Sequence, residues 1–107
     1  MREKFNVPLW IGESGENTNE WFRAAVNLFE TNNIGWSWWT IKKIGSESSL
    51  MTISKPVGYQ KIIDYLAAKG PKPTIEEARK TLMELAENVK FENCKINNEV
   101  MEALFLR

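Results

Sequence analysis

The pattern that most constrains the fold is a pair of apolar runs separated by one amphipathic segment. The run 7–12 lacks polar alternation, which is typical of a strand buried on both faces of a parallel sheet. Asn17 and Glu20 have the spacing of a capping box, and residues 18–32 place apolar side chains at helical spacing, which predicts a helix. The aromatic-rich run 34–40 favours a second strand. This order predicts a βαβ unit, whose two parallel strands need further strands beside them.

The segment that follows the second predicted strand is polar. Residues 41–55 contain a glycine and a serine cluster, which favour a long loop at the carboxyl end of that strand. Pro56 suits the first turn of a helix that stops at Gly70. The sequence therefore predicts the order strand, helix, strand, helix over the first 70 residues.

Two prolines after Gly70 disfavour helix and mark a boundary between the segments 1–70 and 71–107. Thr74 and Glu77 have the spacing of a capping box, which predicts a helix through about Asn88. Asn98 is the predicted cap of a last short helix. Residues 71–107 are therefore predicted to form a helical extension.

Composition excludes several classes of function. The chain has 14 basic and 14 acidic residues, so it lacks the broad field that attracts nucleic acid or an anionic membrane. No apolar run reaches the roughly 18 to 20 residues that span a bilayer. With no histidine and Cys94 as the sole cysteine, neither a metal site nor a cofactor is predicted.

Glu13 is the main candidate for chemistry, because it directly follows a predicted buried strand and is flanked by two nearby glycines, Gly12 and Gly15. Leu9, Ile11 and Glu13 are at alternate positions and share one face of the strand. In a closed barrel the Glu13 side chain would therefore lean towards the axis at the carboxyl-terminal rim. The alternative is structural, since glutamates after strands are commonly solvated or cap the next helix.

Three tryptophans within four positions form the second candidate feature. Trp36 and Trp38 share one face of the predicted strand, whereas Trp39 takes the other. An indole stacks well on the apolar face of a pyranose, and the nearby Lys42 could donate hydrogen bonds to sugar hydroxyls. The alternative is that one or two of these tryptophans belong to the core.

Together the two features resemble glycoside hydrolase family 5, the cellulases and related β-glycanases built on an eight-stranded α/β barrel. The motif Pro8-Leu9-Trp10-Ile11-Gly12-Glu13-Ser14-Gly15 is similar to the family's seventh strand, which ends in the nucleophilic glutamate. The run Gly35-Trp36-Ser37-Trp38-Trp39-Thr40-Ile41-Lys42 is similar to its eighth strand, which supplies a tryptophan platform for sugar. The resemblance covers roughly residues 5–66.

This resemblance implies an α/β fold, the last two βα units of a partial TIM (β/α)8 barrel, followed by the helical extension. It implies a retaining hydrolase of β-linked polysaccharide, with Glu13 as nucleophile and Trp39, Lys42 and Trp36 binding the substrate. The parent enzyme would be secreted, periplasmic or at the cell surface. Its sugar and linkage preference are not predicted.

The sequence departs from the family in one important respect. Retaining glycosidases need a second carboxyl group about 5 to 5.5 Å from the first, and the family's acid/base glutamate follows an asparagine at the fourth strand. By this resemblance the chain is expected to start too late in the barrel pattern to contain it. Glu16, three residues after Glu13, is expected to cap the following helix rather than to replace the missing acid. We therefore expect the isolated chain to be inactive, and to self-associate or pair with the missing half of the barrel.

Two other functions are compatible with the same residues. The chain could be a non-catalytic carbohydrate-binding element that uses Trp36, Trp38 and Trp39 as a platform. It could also be a helical interaction or spacer domain whose function lies in residues 71–107. In the first case Glu13→Gln would leave binding intact, whereas Trp→Ala would reduce it.

Overall fold

The computed structural model describes residues 2–106, in which helices and short strands alternate. The helices are α1 (Arg2–Phe5), α2 (Asn19–Thr31), α3 (Tyr59–Leu66), α4 (Ile75–Asn88) and α5 (Asn98–Phe105). The strands are β1 (Trp10–Ile11), β2 (Gly35–Trp36), β3 (Lys42–Ile44), β4 (Met51–Ile53) and β5 (Lys95–Ile96).

The first two strands form the parallel pair that the sequence predicts. Trp10 lies opposite Gly35 and Ile11 opposite Trp36, with α2 connecting the two strands. Regular pairing is shorter than the predicted runs 7–12 and 34–40. Within residues 2–106 the strands form a two-stranded and a three-stranded sheet and no closed barrel, so the partial barrel remains a proposal.

The start of α2 differs from the prediction by one residue. Asn17 and Glu20 were expected to form a capping box, but Thr18 is the N-cap, and its hydroxyl accepts a hydrogen bond from the Trp21 amide at 3.3 Å. Thr18 has the extended backbone that an N-cap needs, and Asn17 instead accepts from the Thr18 amide. The predicted helix itself is confirmed.

The caps of the two later helices show one confirmed and one wrong prediction. The capping box of α4 is present, with the Thr74 hydroxyl bound to the Glu77 amide and the Glu77 carboxylate bound to the Thr74 amide. The N-cap of α5 is Asn97 rather than Asn98. The side chain of Asn97 makes no capping hydrogen bond, and its Nδ2 donates to the Ser49 carbonyl at 2.6 Å.

The prediction of a continuous loop over 41–55 is wrong. Strands β3 and β4 lie in this segment and pair in parallel, and β5 joins β4 in antiparallel orientation. The connection of residues 45–50 is stabilised by Ser49, which is buried and donates to the carbonyls of Ser46 and Met51 at 3.0 and 2.7 Å. A serine cluster predicts a loop from the sequence alone, although its hydroxyls can also hydrogen-bond to backbone carbonyls within a compact turn.

The core is formed mainly between α2 and α5, two helices that are distant in the sequence. Phe22 and Val26 of α2 pack against three residues of α5, and all five side chains are buried. The α5 residues are Val100, Ala103 and Leu104. The end of the segment 71–107 therefore supplies part of the core that covers the βαβ unit.

Much apolar surface lies outside this core. The radius of gyration is 18.8 Å and the principal dimensions are 59 × 29 × 20 Å, whereas a compact domain of this length would have a radius of gyration of about 13 Å. Val57 and Ile75 are 97% and 79% exposed. No helix in residues 2–106 has both the length and the apolar character of a membrane span.

Candidate active site

The candidate site begins where the regular pairing of β1 and β2 ends. The Ser37 amide donates to the Ile11 carbonyl at 2.9 Å, and the Trp39 amide donates to the Ser14 carbonyl at 2.8 Å. A further parallel bridge joins Gly15 to Trp39. The loop that carries Glu13 is therefore attached to the backbone that carries Trp39.

Gly15 makes this attachment possible. Its φ is +150°, a conformation that side chains with a Cβ rarely adopt, and a Cβ at this position would overlap the carbonyl oxygen of Trp39. The next residue, Glu16, also has a positive φ of 54°. The backbone of this loop is thus specified by the glycine that follows Ser14.

Glu13 and Trp39 line one open cleft with a volume of about 310 Å³. Its other lining residues come from β1, its loop and α2, and they are Ile11, Ser14, Gly15, Glu16, Trp21 and Phe29. Trp39 is 52% exposed, so its indole is accessible from the cleft. The cleft therefore combines a carboxylate with aromatic surface, at the carboxyl ends of two parallel strands.

The two carboxylates of the cleft differ in their partners. Glu16 forms an ion pair with the ammonium group of Lys43, in which both side chains are about half exposed. Within residues 2–106, no hydrogen bond or ion pair engages the carboxylate of Glu13. Glu16 was expected to cap the helix that follows, but Thr18 takes that position. Glu13 is thus the carboxylate that remains available to a ligand.

Ser14 adds a buried hydroxyl to the wall of the cleft. Its side chain is 8% exposed, and its Oγ lacks a hydrogen-bond partner among the described residues. The backbone carbonyl of the same residue holds Trp39 in place. Ser14 therefore contributes to the cleft a buried hydroxyl without a partner and a backbone carbonyl that binds Trp39.

Trp36 is not brought into the cleft with Glu13, among the residues that the structure describes. It is partly buried, packs against the core, and its indole Nε1 donates to a Glu30 carboxylate oxygen at 3.1 Å. Trp38 packs beside it, with the two rings edge to face and their centroids 6.4 Å apart. The predicted division of the three tryptophans between two faces is confirmed.

Lys42 also lies apart from the lining of the cleft, within residues 2–106. It belongs to β3, and its Nζ donates to the carbonyl of Val89 at the carboxyl end of α4, at 2.6 Å. Its neighbour Lys43 makes the ion pair with Glu16. Because successive side chains of a strand point in opposite directions, the two lysines bind on different sides of β3.

Sequence reasoning did not select two residues that the structure associates with the cleft. Trp21 looked like one more apolar residue of α2, and Lys43 looked like part of a polar loop. A signal for Trp21 was present, because it lies in the first helical turn after the Glu13 loop. Lys43 had no such signal, since its position depends on the unpredicted strand β3.

The comparisons with known proteins add no relative from which a role for this site could be read. Comparisons of the chain with protein families, curated proteins and solved structures found no match. Within residues 2–106, histidine, cysteine and acidic side chains do not gather in groups of three that could hold a metal ion. The likeness to glycoside hydrolase family 5 therefore stays an expectation from the motifs around Glu13 and Trp39.

Proposed function

We propose that the chain is part of a retaining glycoside hydrolase that acts on β-linked polysaccharide. The observation that carries the proposal is that Glu13 and Trp39 line the same cleft, at the carboxyl ends of parallel strands. Carbohydrate sites combine aromatic platforms with hydrogen-bonding groups, because a pyranose has apolar CH faces and polar edges. A carboxylate beside an exposed indole meets both requirements.

In the proposed reaction, one oxygen of the Glu13 carboxylate attacks the anomeric carbon of a sugar held on Trp39. The bond to the leaving oxygen breaks as the glycosyl ester forms, and an acid/base carboxyl group protonates that oxygen. The same group then activates the water that hydrolyses the ester. Glu16 is engaged by Lys43, so we assign the acid/base to a segment outside this chain.

The proposed roles of Trp36 and Lys42 in binding substrate have less support than those of Glu13 and Trp39. Both were expected to bind substrate, and both are engaged elsewhere, by the core and by the Val89 carbonyl respectively. Their contribution requires them to change partners when the rest of the enzyme is present. The proposal therefore depends on Glu13 and Trp39 alone.

The nucleophile can be tested without the missing acid. A 2,4-dinitrophenyl 2-deoxy-2-fluoro-β-cellobioside carries a leaving group that departs as an anion, so no proton donor is needed. The fluorine slows hydrolysis of the ester, which accumulates. We expect a covalent mass increase on the peptide that contains Glu13, and a weaker reaction in Trp39→Ala.

Two variants at neighbouring carboxylates make the trapping experiment specific. Glu13→Gln should abolish labelling, because an amide is not a nucleophile in this reaction. Glu16→Gln should label like the unmodified chain, since Glu16 is bound to Lys43. Labelling that persists in Glu13→Gln, or that maps to another residue, would contradict the proposal.

A further inference from the structure

The first turn of α2 brings a second tryptophan to the candidate site. Trp21 lines the same cleft as Glu13 and Trp39, and its side chain is 41% exposed. Its backbone is fixed by the hydrogen bond from its amide to the Thr18 hydroxyl. Its ring meets the buried ring of Phe22 edge to face, with centroids 6.2 Å apart, so the indole is supported from one side.

The other three tryptophans have surroundings that differ from those of Trp21 and Trp39. Trp36 and Trp38 are packed against the core. Trp10 is 66% exposed, but its ring covers Gly35, where a Cβ would overlap the indole. Trp21 and Trp39 are the two indoles that line the Glu13 cleft among the described residues. Large exposed aromatic surfaces beside a polar group are typical of binding sites.

We infer that Trp21 is a second sugar-binding side chain, which holds the ring adjacent to the one on Trp39. Because Trp39 is the platform proposed above, the role of Trp21 rests on the proposed function. The ligand of this proposal is a disaccharide or longer β-linked glycan, with one sugar ring on each indole. The cleft of about 310 Å³ lies at the small end of ligand sites, which span roughly 300 to 1,000 Å³.

The charges of the cleft disfavour an anionic ligand. The negative charge of Glu16 is balanced by Lys43, which leaves Glu13 as the cleft's single carboxylate without an ion-pair partner among residues 2–106. A carboxylate accepts hydrogen bonds from sugar hydroxyls, whereas indole faces take the apolar CH surfaces. A neutral glycan satisfies both kinds of surface.

The inference can be tested by NMR on the full 107-residue chain with ¹⁵N-labelled indoles. The five tryptophans give five Nε1–H resonances, which single Trp→Phe variants assign. On titration with cellotetraose we expect the resonances of Trp21 and Trp39 to shift and that of Trp10 to stay unchanged. Glucose at the same concentrations should shift the Trp21 and Trp39 resonances less, because it supplies one ring.

Matched variants separate the possible results. Trp21→Ala should weaken cellotetraose binding by about 3- to 10-fold, whereas Trp10→Ala, a control at an exposed tryptophan outside the cleft, should bind like the unmodified chain. A shift of Trp39 without a shift of Trp21, together with unchanged affinity in Trp21→Ala, would overturn the role of Trp21 and leave the proposed function standing. Failure of both resonances to shift would overturn both. The titration of the unmodified chain decides the matter even if Trp21→Ala does not fold.

Discussion

Gly15 lies so close to Trp39 that a Cβ at position 15 would overlap the Trp39 carbonyl oxygen. The same pair forms a parallel bridge just beyond the regular pairing of β1 and β2. Since Glu13 lies two residues before this glycine, the position of the carboxylate relative to the indole depends on the close approach. A glycine in the candidate motif thus has a structural role that can be measured.

Gly15→Ala should destabilise the chain and move the Glu13 loop away from Trp39. We expect a loss of about 2 to 3 kcal/mol in the free energy of unfolding, because both the backbone conformation and the contact become unfavourable. Denaturant unfolding measures the loss, and the Trp39 indole resonance reports the movement. Gly45→Ala is the control, since Gly45 has a φ of +62° with open space around it. It should cost about 1 kcal/mol and leave the Trp39 resonance unchanged.

Phe22→Ala should cause the largest loss of stability of any single truncation in α2. Phe22 is fully buried and meets Trp38 edge to face at a centroid distance of 4.3 Å. Removing a buried phenylalanine side chain costs about 3 to 5 kcal/mol through lost burial and the cavity that remains. Leu28→Ala in the same helix is the control, because Leu28 is 60% exposed, and its loss should be within about 0.5 kcal/mol. Equal losses for both variants in thermal unfolding would contradict the observed core.

The carboxylate of Glu77 should make the stability of the chain depend on pH in the acidic range. Hydrogen bonds from Lys61 and from the Thr74 amide lower the pKa of Glu77 below its ordinary value. A carboxyl group whose pKa is lower in the folded state contributes stability above its unfolded pKa, and this contribution is lost as the pH falls through the folded value.

Denaturant unfolding of Glu77→Gln between about pH 3 and pH 7 measures this contribution. The variant should be less stable than the unmodified chain near neutral pH, and the difference should shrink as the pH falls. Glu76→Gln, in the same helical turn but without the Lys61 contact, should show a smaller difference. If the difference in the free energy of unfolding between Glu77→Gln and the unmodified chain stays constant down to about pH 3, the charge of Glu77 does not contribute to stability.

The exposed apolar surface should cause the chain to associate. Val57, Leu66 and Ile75 are each more than 70% exposed, and the molecule is more elongated than a compact domain with the same number of residues. Such surface drives association in water, and both strands of the parallel pair have open edges among the described residues. Sedimentation velocity over a range of concentrations should show an increasing weight-average mass. A mass that stays at 12.4 kDa throughout would contradict this expectation.

The helices could be predicted because their signals are local. Thr74 and Glu77 are three residues apart, and the hydrogen bonds they make lie within one turn. The apolar spacing of α2 likewise needs only its own residues. The shift of its cap from Asn17 to Thr18 is the kind of error expected when two good capping residues are adjacent.

The second sheet could not be predicted, because its pairing connects distant residues. Strands β3 and β4 have three residues each, too few for a periodic pattern, and β5 lies some forty residues after β4. The partner of Lys42 is the carbonyl of Val89, which is 47 residues away. For the candidate site, Glu13 was found because it directly follows a predicted strand, and Trp39 because it belongs to the aromatic-rich run 34–40. Lys43 depends on this unpredicted sheet.

The packing of α2 against α5 has a consequence for synthesis on the ribosome. Phe22 and Val26 emerge early, but Val100 and Leu104, which cover them, emerge some eighty residues later. A nascent chain must therefore keep these side chains exposed until translation has passed residue 104, and helices that form earlier have no completed core to dock on. During that interval the unfinished polypeptide is a natural client for chaperones that bind apolar segments.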